Sequence, residues 1–374
     1  MDRESIDAKT LREWLESGEE VTVVDVRRED DYSEWSVPGS VNLAAHDQLK
    51  AGDPGAMEGL DVPRDRPVVT VCGAGRSSAV AAEQLRKRGF DALTLEGGMK
   101  SWSLAWNTAE VELPGTEARV IQVRRTGKGC LSYLIGSGGE ATVVDAAVDP
   151  GVYLGLAEER GWRISRVLDT HVHADHLSRS GMLADLSGAT LHMPGRAPVS
   201  YPFSPLGEGD ETRIGAAMLR ALRTPGHTAE STSYLLDGRG PQGGALFTGD
   251  TLFLAAVGRP DLEASLEGAR EKARALHGSL RRVLALDGGT LVLPGHTSEP
   301  VPFDGEPVAA PLSEVRDSVP LLGEDEEVFV EQLAGRASPT PENYEQIVAL
   351  NRSGEQMDGD PTELEAGTNR CAAG

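Results

Sequence analysis

Apolar positions in this chain fall in short runs, and their spacing changes from helix-like to strand-like and back. Leu11, Trp14 and Leu15 share one helical face, with Asp7 placed to cap that helix. Val21–Val26 reads as a buried strand, and Val68–Val71 as a second that stops at Cys72. A helix is expected from about Ser78 to Gly89, then a short strand over Ala92–Leu95. This alternation predicts a compact α/β unit with a mostly parallel sheet. The stretch Asn107–Thr116, with Pro114-Gly115, breaks the pattern and marks a boundary. Beyond it the sequence turns strand-rich, at Val120–Val123, Leu131–Ile135 and Ala141–Asp145. Helix and strand periods alternate again from Pro150, a residue suited to a first helical turn. Further strands are expected at Val167-Leu168, Met218–Leu222, Thr232–Leu236, Ala245–Phe247 and Leu291–Leu293. Ser265–His277 is the clearest helix of this half. After Arg352 the chain is polar and acidic with scattered Gly, which predicts a loosely ordered tail. The expected division is 1–112, 113–352 and 353–374.

Composition narrows the partners. At 374 residues the chain suits two domains, and its 39% apolar content is that of a soluble globular protein. A net charge of −23 excludes nucleic acid and anionic membrane surfaces as natural partners. The opening Met1-Asp2-Arg3-Glu4-Ser5 is charged and leads into an amphipathic helix, and no apolar run would span a bilayer, so a cytoplasmic location is expected. Three cysteines, Cys72, Cys130 and Cys371, argue against a disulfide framework and for free thiols.

The first candidate site is Val71-Cys72-Gly73-Ala74-Gly75-Arg76-Ser77-Ser78, between strand and helix. Such a loop gathers backbone N–H groups at a helix N-terminus, which favours a thiolate at Cys72 and would equally stabilise a persulfide. Arg76 could hold an anionic sulfur donor. A buried, inert cysteine is the bland alternative, and the glycines and arginine around Cys72 weigh against it. A cysteine phosphatase needs five residues between Cys and Arg to wrap a phosphate; here there are three. Together with Val24-Asp25-Val26-Arg27, Trp35-Ser36-Val37-Pro38-Gly39-Ser40 and Leu95-Glu96-Gly97-Gly98-Met99, the loop resembles a single rhodanese-like domain over about residues 1–110. The resemblance implies that Cys72 accepts a sulfane sulfur and passes it to a thiol.

The second candidate site uses five of the eight histidines. Three lie in His171-Val172-His173-Ala174-Asp175-His176; two follow Pro-Gly, at His227 and His296; and Asp250 ends Phe247-Thr248-Gly249-Asp250. Ligands at the ends of several strands are how such a scaffold converges side chains on a metal. His46, His192 and His277 stand outside these motifs and are expected to be ordinary structural residues. The pattern resembles the metallo-β-lactamase fold, an αββα sandwich, over about residues 117–350, with Asp145 as a structural strand-end carboxylate.

Two chemistries of that fold suit the seven residues. In the hydrolase branch, His171, His173 and His227 would hold one zinc and Asp175, His176 and His296 another, with Asp250 bridging and a hydroxide attacking a thioester. In the persulfide dioxygenase branch, resemblance assigns one Fe(II) to His171, His227 and Asp250, leaving His173, Asp175, His176 and His296 around it. Three features resemble the latter: the Ala174 form of the motif, Val257-Gly258-Arg259-Pro260-Asp261, whose Arg259 would bind substrate, and Pro341-Glu342-Asn343-Tyr344. Ser298 stands where the glutathione-persulfide branch carries a tyrosine, which points away from glutathione. The fused rhodanese-like domain favours the same branch, because it handles the same kind of sulfur. The expected activity is therefore oxidation of a low-molecular-weight thiol persulfide by O₂ to sulfite, coupled to sulfur transfer with thiosulfate or sulfite. A homodimer is compatible with the sequence. Cys130 is expected to be a core residue, and Cys371 an incidental surface thiol or a sulfur relay.

Overall fold

In a computed structural model of the chain, the described residues are 4–373 except 114, 239–243, 263, 336–339, 341–342, 356, 358 and 368. Pro341 and Glu342 of the Pro-Glu-Asn-Tyr element thus lie outside them, as does Pro114.

Residues 4–105 form the α/β unit. Its five strands are all parallel, in the spatial order Ser5–Ile6, Ala92–Leu95, Val68–Val71, Thr22–Asp25, Val41–Asn42. The helix Ala8–Ser17 is capped by Asp7, whose side chain accepts from the Thr10 N–H at 2.7 Å. The helix after Cys72 spans Arg76–Lys87, two residues earlier than its apolar spacing suggested. The polar Arg76 and Ser77 carry no hydrophobic signal, so their helical state is set by the loop before them.

Two sheets build the rest. One has seven strands, in the order Ser204–Leu206, Thr190–Pro194, Arg163–Leu168, Glu140–Val144, Cys130–Ser137, Arg119–Arg125, Asn107–Val111. The other has six: Glu211–Ile214, Ala217–Arg223, Thr232–Leu236, Ala245–Gly249, Leu291–Pro294, Ala310–Pro311. Val120, Tyr133, Ile135, Val144 and Leu168 of the first pack against Leu219, Tyr234, Leu236, Phe247 and Leu293 of the second. On the outer faces, Tyr153, Ala157, Leu183 and Ala184 cover one sheet, and Ala273, Leu276, Leu280 and Phe329 the other. Helix, sheet, sheet, helix is the αββα sandwich. The helix expected over Ser265–His277 keeps Ser265 as its N-cap but runs on to Val283. No helix among the described residues is long and apolar enough to cross a membrane.

Two expectations fail. The boundary segment holds a strand, Asn107–Val111, paired antiparallel to Val120–Arg124, so the first residues past the α/β unit already belong to the second sheet system. The two units are also in contact: the Trp35 indole donates to the Thr126 carbonyl at 3.2 Å. The second correction is the C-terminal segment, which is not a loose tail. Thr362–Glu365 is helical, Ala372–Ala373 pairs with Val257–Gly258, and the Glu365 side chain is fully buried. Glu365 meets Arg125 at 2.9 Å and Arg179 at 2.9 and 3.0 Å. Lys128 donates to the Glu365 and Gly367 carbonyls, and Asn369 to those of Lys128 and Thr297. Polar anchors give no apolar period, which is why this segment looks disordered in sequence.

Burial alone would raise the Glu365 pKa, but Arg125 and Arg179 more than reverse that and hold it at about 2, below its ordinary 4.5. A carboxylate lowered on folding stabilises the protein above its unfolded pKa and loses that effect as pH falls through the folded one. Glu365→Gln is therefore expected to cost on the order of 3 kcal/mol at neutral pH. In urea unfolding the gap from wild type should narrow below about pH 4.5 and close near pH 2. A gap constant from pH 7 to pH 2 would contradict this account.

Candidate metal centre and cysteine loop

Each residue of the histidine constellation stands just beyond a strand. His171–His176 follow Arg163–Leu168, His227 follows Ala217–Arg223, Asp250 follows Ala245–Gly249 and His296 follows Leu291–Pro294. All seven side chains are buried. The Pro-Gly before His296 has a steric reason: a Cβ at Gly295 would sit 2.7 Å from Asp250 Oδ1.

The loop is held first by Asp145. This residue has a positive φ of 53° and accepts from the Thr170 N–H at 2.7 Å and the Thr170 hydroxyl at 2.9 Å. The hydroxyl has one proton, given to the carboxylate, so its lone pair faces His171 Nδ1 at 2.9 Å and that nitrogen must donate. His171 Nε2 is thereby left as the lone-pair nitrogen. His227 is fixed in the same way, with Nδ1 donating to the Arg259 carbonyl at 2.9 Å. The two free nitrogens lie 3.8 and 3.6 Å from Asp250 Oδ2. Neither His171 Nε2 nor Asp250 Oδ2 has a hydrogen-bond partner. Burial lowers the pKa of His171 and of His227, outweighing the pull of Asp250, so both rings are neutral, the form that binds metal. Buried polar atoms left unpaired are costly, and the convergence of His171 Nε2 and Asp250 Oδ2 with His227 on one point fits a metal ion.

The other residues are arranged differently. His296 presents Nδ1 to Asp250 Oδ1 at 2.7 Å and Nε2 to Asp175 Oδ2 at 2.9 Å. Burial disfavours its charge, but the two carboxylates raise its pKa well above the ordinary 6.5. His176 Nδ1 meets Asp175 Oδ1 at 3.0 Å and leaves Nε2 unpartnered. His173 turns Nε2 to Asp145 at 3.2 Å and leaves Nδ1 unpartnered. Cys130, expected as a core residue, is buried but faces this group, with Sγ 3.4 Å from Asp175 Oδ2 and 3.8 Å from His176 Nδ1. Cys371 is a buried thiol beside Asp250 and His296, not a surface one.

Arg259 is buried. Its guanidinium pairs with Asp261 at 2.6 and 2.7 Å and donates to the Arg370 carbonyl at 3.1 Å. Its backbone carbonyl is the group that orients His227. Ser298 lines a cavity of about 310 Å³ together with His296, Phe253, Glu299, Asn369 and Ala372. Of the Pro-Glu-Asn-Tyr element, Asn343 starts the helix Tyr344–Ser353, whose Asn351 donates to the His173 and His176 carbonyls at 2.8 Å each. Asn351, Glu365 and Cys130 are functional candidates that sequence reasoning missed. A lone Asn, Glu or Cys in an ordinary context carries no signal of its role.

At the other centre, Cys72 directly follows the strand Val68–Val71, with Sγ 3.4 Å from both the N–H and the hydroxyl of Ser78, on the first turn of the next helix. Arg76 opens that helix and is exposed. The Cys72 and Gly73 carbonyls accept from the Met99 and Lys100 N–H groups at 2.8 and 3.0 Å. That approach needs glycine at 98, where a Cβ would lie 2.0 Å from the Cys72 carbonyl oxygen. In the Asp25–Arg27 and Trp35 motifs, Arg27 pairs with Asp25 at 2.7 Å and donates to the Trp35 carbonyl at 2.6 Å.

Comparison with known proteins agrees with both halves. Residues 7–105 match the rhodanese-like domain family, and residues 125–296 the metallo-beta-lactamase superfamily. A hydroxyacylglutathione hydrolase of Anaeromyxobacter dehalogenans (strain 2CP-C) is 37% identical over 174 residues, 46% of this chain and 63% of the relative. Persulfide dioxygenase ETHE1, mitochondrial, of Mus musculus is 27% identical over 229 residues, 60% of this chain and 84% of the relative. The crystal structure of ETHE1 from Myxococcus xanthus aligns with a TM-score of 0.54 at 31% identity, covering 62% of this chain and 97% of that one. The chain spans less than two thirds of the length of the hydrolases it matches.

Proposed function

The chain joins a rhodanese-like domain to a metallo-beta-lactamase superfamily domain, and from that we propose an enzyme that oxidises a thiol persulfide with O₂ at one iron ion and exchanges sulfane sulfur at Cys72. The observation that carries the reading is the division of labour at Asp250. Its Oδ2 faces His171 and His227 without a partner, while its Oδ1 is engaged by His296. The free oxygen and the nitrogens of His171 and His227 lie close enough together to serve one metal ion. Two histidines and one carboxylate with open positions are the donor set of non-haem iron oxygenases.

His171, His227 and Asp250 would hold the iron, and Thr170, Asp145 and the Arg259 carbonyl keep both rings in the binding tautomer. Iron(II), when bound, supplies the redox chemistry that lets O₂ react with the terminal sulfur. The balance is RSSH plus O₂ plus H₂O giving RSH, sulfite and two protons. At the other centre the Cys72 thiolate attacks the outer sulfur of thiosulfate, releases sulfite and becomes a persulfide, which a second thiolate then takes up. Arg76, exposed beside the loop, would hold the anionic donor.

A second reading has its own support: all seven side chains of a two-zinc thioester hydrolase are present, and hydroxyacylglutathione hydrolases are among the relatives. Metal analysis of protein made with iron and zinc both available separates them. About one iron per chain and O₂ uptake driven by small persulfides is the expected result. About two zinc per chain, with thioester cleavage and no O₂ uptake, would overturn it.

A further inference from the structure

We propose that Glu365 is a positioning residue for the metal centre, holding from the C-terminal segment the loop that carries His171, His173, Asp175 and His176. That loop is fixed at three places. Asp145 binds its start through Thr170, and Asn351 binds the His173 and His176 carbonyls. Glu365 binds its end, accepting from the Leu177 N–H at 2.6 Å and pairing with Arg179 two residues on. The backbone leaving His176 therefore has its direction set by a side chain that touches none of the converging donors.

Charge gives the second half of the argument. Arg125 is fully buried and lies in the field of Asp175 and Cys130 as well as of Glu365. Without Glu365, Arg125 and Arg179 would be two uncompensated cations beside a site built to accept another. Glu365 offsets part of that field and sets the loop in the same contact. Its segment is held on the other side as well: Glu363 pairs with Lys100 next to the cysteine loop, and Arg370 pairs with Glu34 at 2.5 Å. The segment is thus anchored on both domains. The inference rests on the centre binding a metal, not on which metal or which reaction.

Cobalt(II)-loaded full-length protein provides the test, with affinity and the visible ligand-field bands as readouts. Glu365→Gln is expected to weaken cobalt binding by roughly 10–100-fold and to shift the bands. Glu365→Asp keeps the charge that folding requires but stops short of the Leu177 N–H, and should shift the bands as well. Lys128→Met loosens the same segment without touching the loop; it should lower the melting temperature yet leave the bands and affinity those of wild type. Unaltered bands and affinity in both Glu365 variants would overturn the proposal, as would Lys128→Met moving both readouts as far as Glu365→Gln does. Failure of wild type to consume O₂ with persulfides would sink the iron-dioxygenase reading and leave this one standing.

Discussion

Asp250→Ala should abolish persulfide-dependent O₂ uptake while thiosulfate–thiol sulfur transfer continues at the wild-type rate. The loss has two causes. The variant removes the carboxylate oxygen that faces both His171 and His227, so the three-donor set becomes two. It also strips His296 of one of the two carboxylates that raise its pKa, leaving a buried ring with half its counter-charge. Outer partners of metal ligands are typically worth 10–100-fold in affinity or activity, so losing a ligand should exceed about 100-fold in each. Iron content and O₂ consumption should fall together. Retention of near-wild-type iron by this variant would mean that the metal lies elsewhere, in the Asp175, His176, His296 and Cys130 group.

Cys72→Ala should do the reverse. Sulfur transfer through a covalent persulfide has no alternative route when the sulfur acceptor is a methyl group, so thiosulfate–thiol exchange should drop to background. The Ser78 N–H and hydroxyl lose their sulfur acceptor, and Ser78 keeps Thr94 as a hydroxyl partner at 2.9 Å, so the loop is expected to stand. O₂ uptake with an added small persulfide should remain within about twofold of wild type, since Cys72 has no contact with the histidine group among the described interactions. Unchanged thiosulfate–thiol transfer in this variant would defeat the assignment of Cys72. A parallel collapse of O₂ uptake would show instead that the iron centre receives its persulfide only from the cysteine loop.

What could be read in the sequence follows from the physics that each feature obeys. Strand runs such as Val68–Val71 and Thr232–Leu236 are legible to the residue because short stretches rich in β-branched, aromatic and apolar residues bounded by turn residues mark buried strands. The seven residues of the histidine constellation stand out because such side chains are rare and here follow strands directly, whereas the choice of His171, His227 and Asp250 among them rests on the resemblance to persulfide dioxygenases. The partition of roles at Asp250 was not legible, since it depends on which oxygen His296 faces. The boundary near Asn107 was misread because an edge strand with one polar face looks like a linker. The C-terminal segment was hidden for a different reason: Glu365, Arg370 and Asn369 resemble any solvated polar run until their partners, more than a hundred residues earlier, are known. Cys130 shows the same limit, its strand obvious and its neighbours invisible.

The distance along the chain between the histidine loop and its distant clamp has a consequence for how the molecule is made. Leu177 and Glu365 are separated by 188 positions. At ribosomal speeds of roughly 5–20 residues per second, the loop leaves the ribosome roughly 10–40 seconds before its counter-charge exists. Through that interval Arg125 and Arg179 lack the carboxylate that compensates them in the folded protein, which disfavours their burial. The expected consequence is that the metal centre is among the last parts of the protein to mature, with metal taken up after synthesis rather than by the nascent chain.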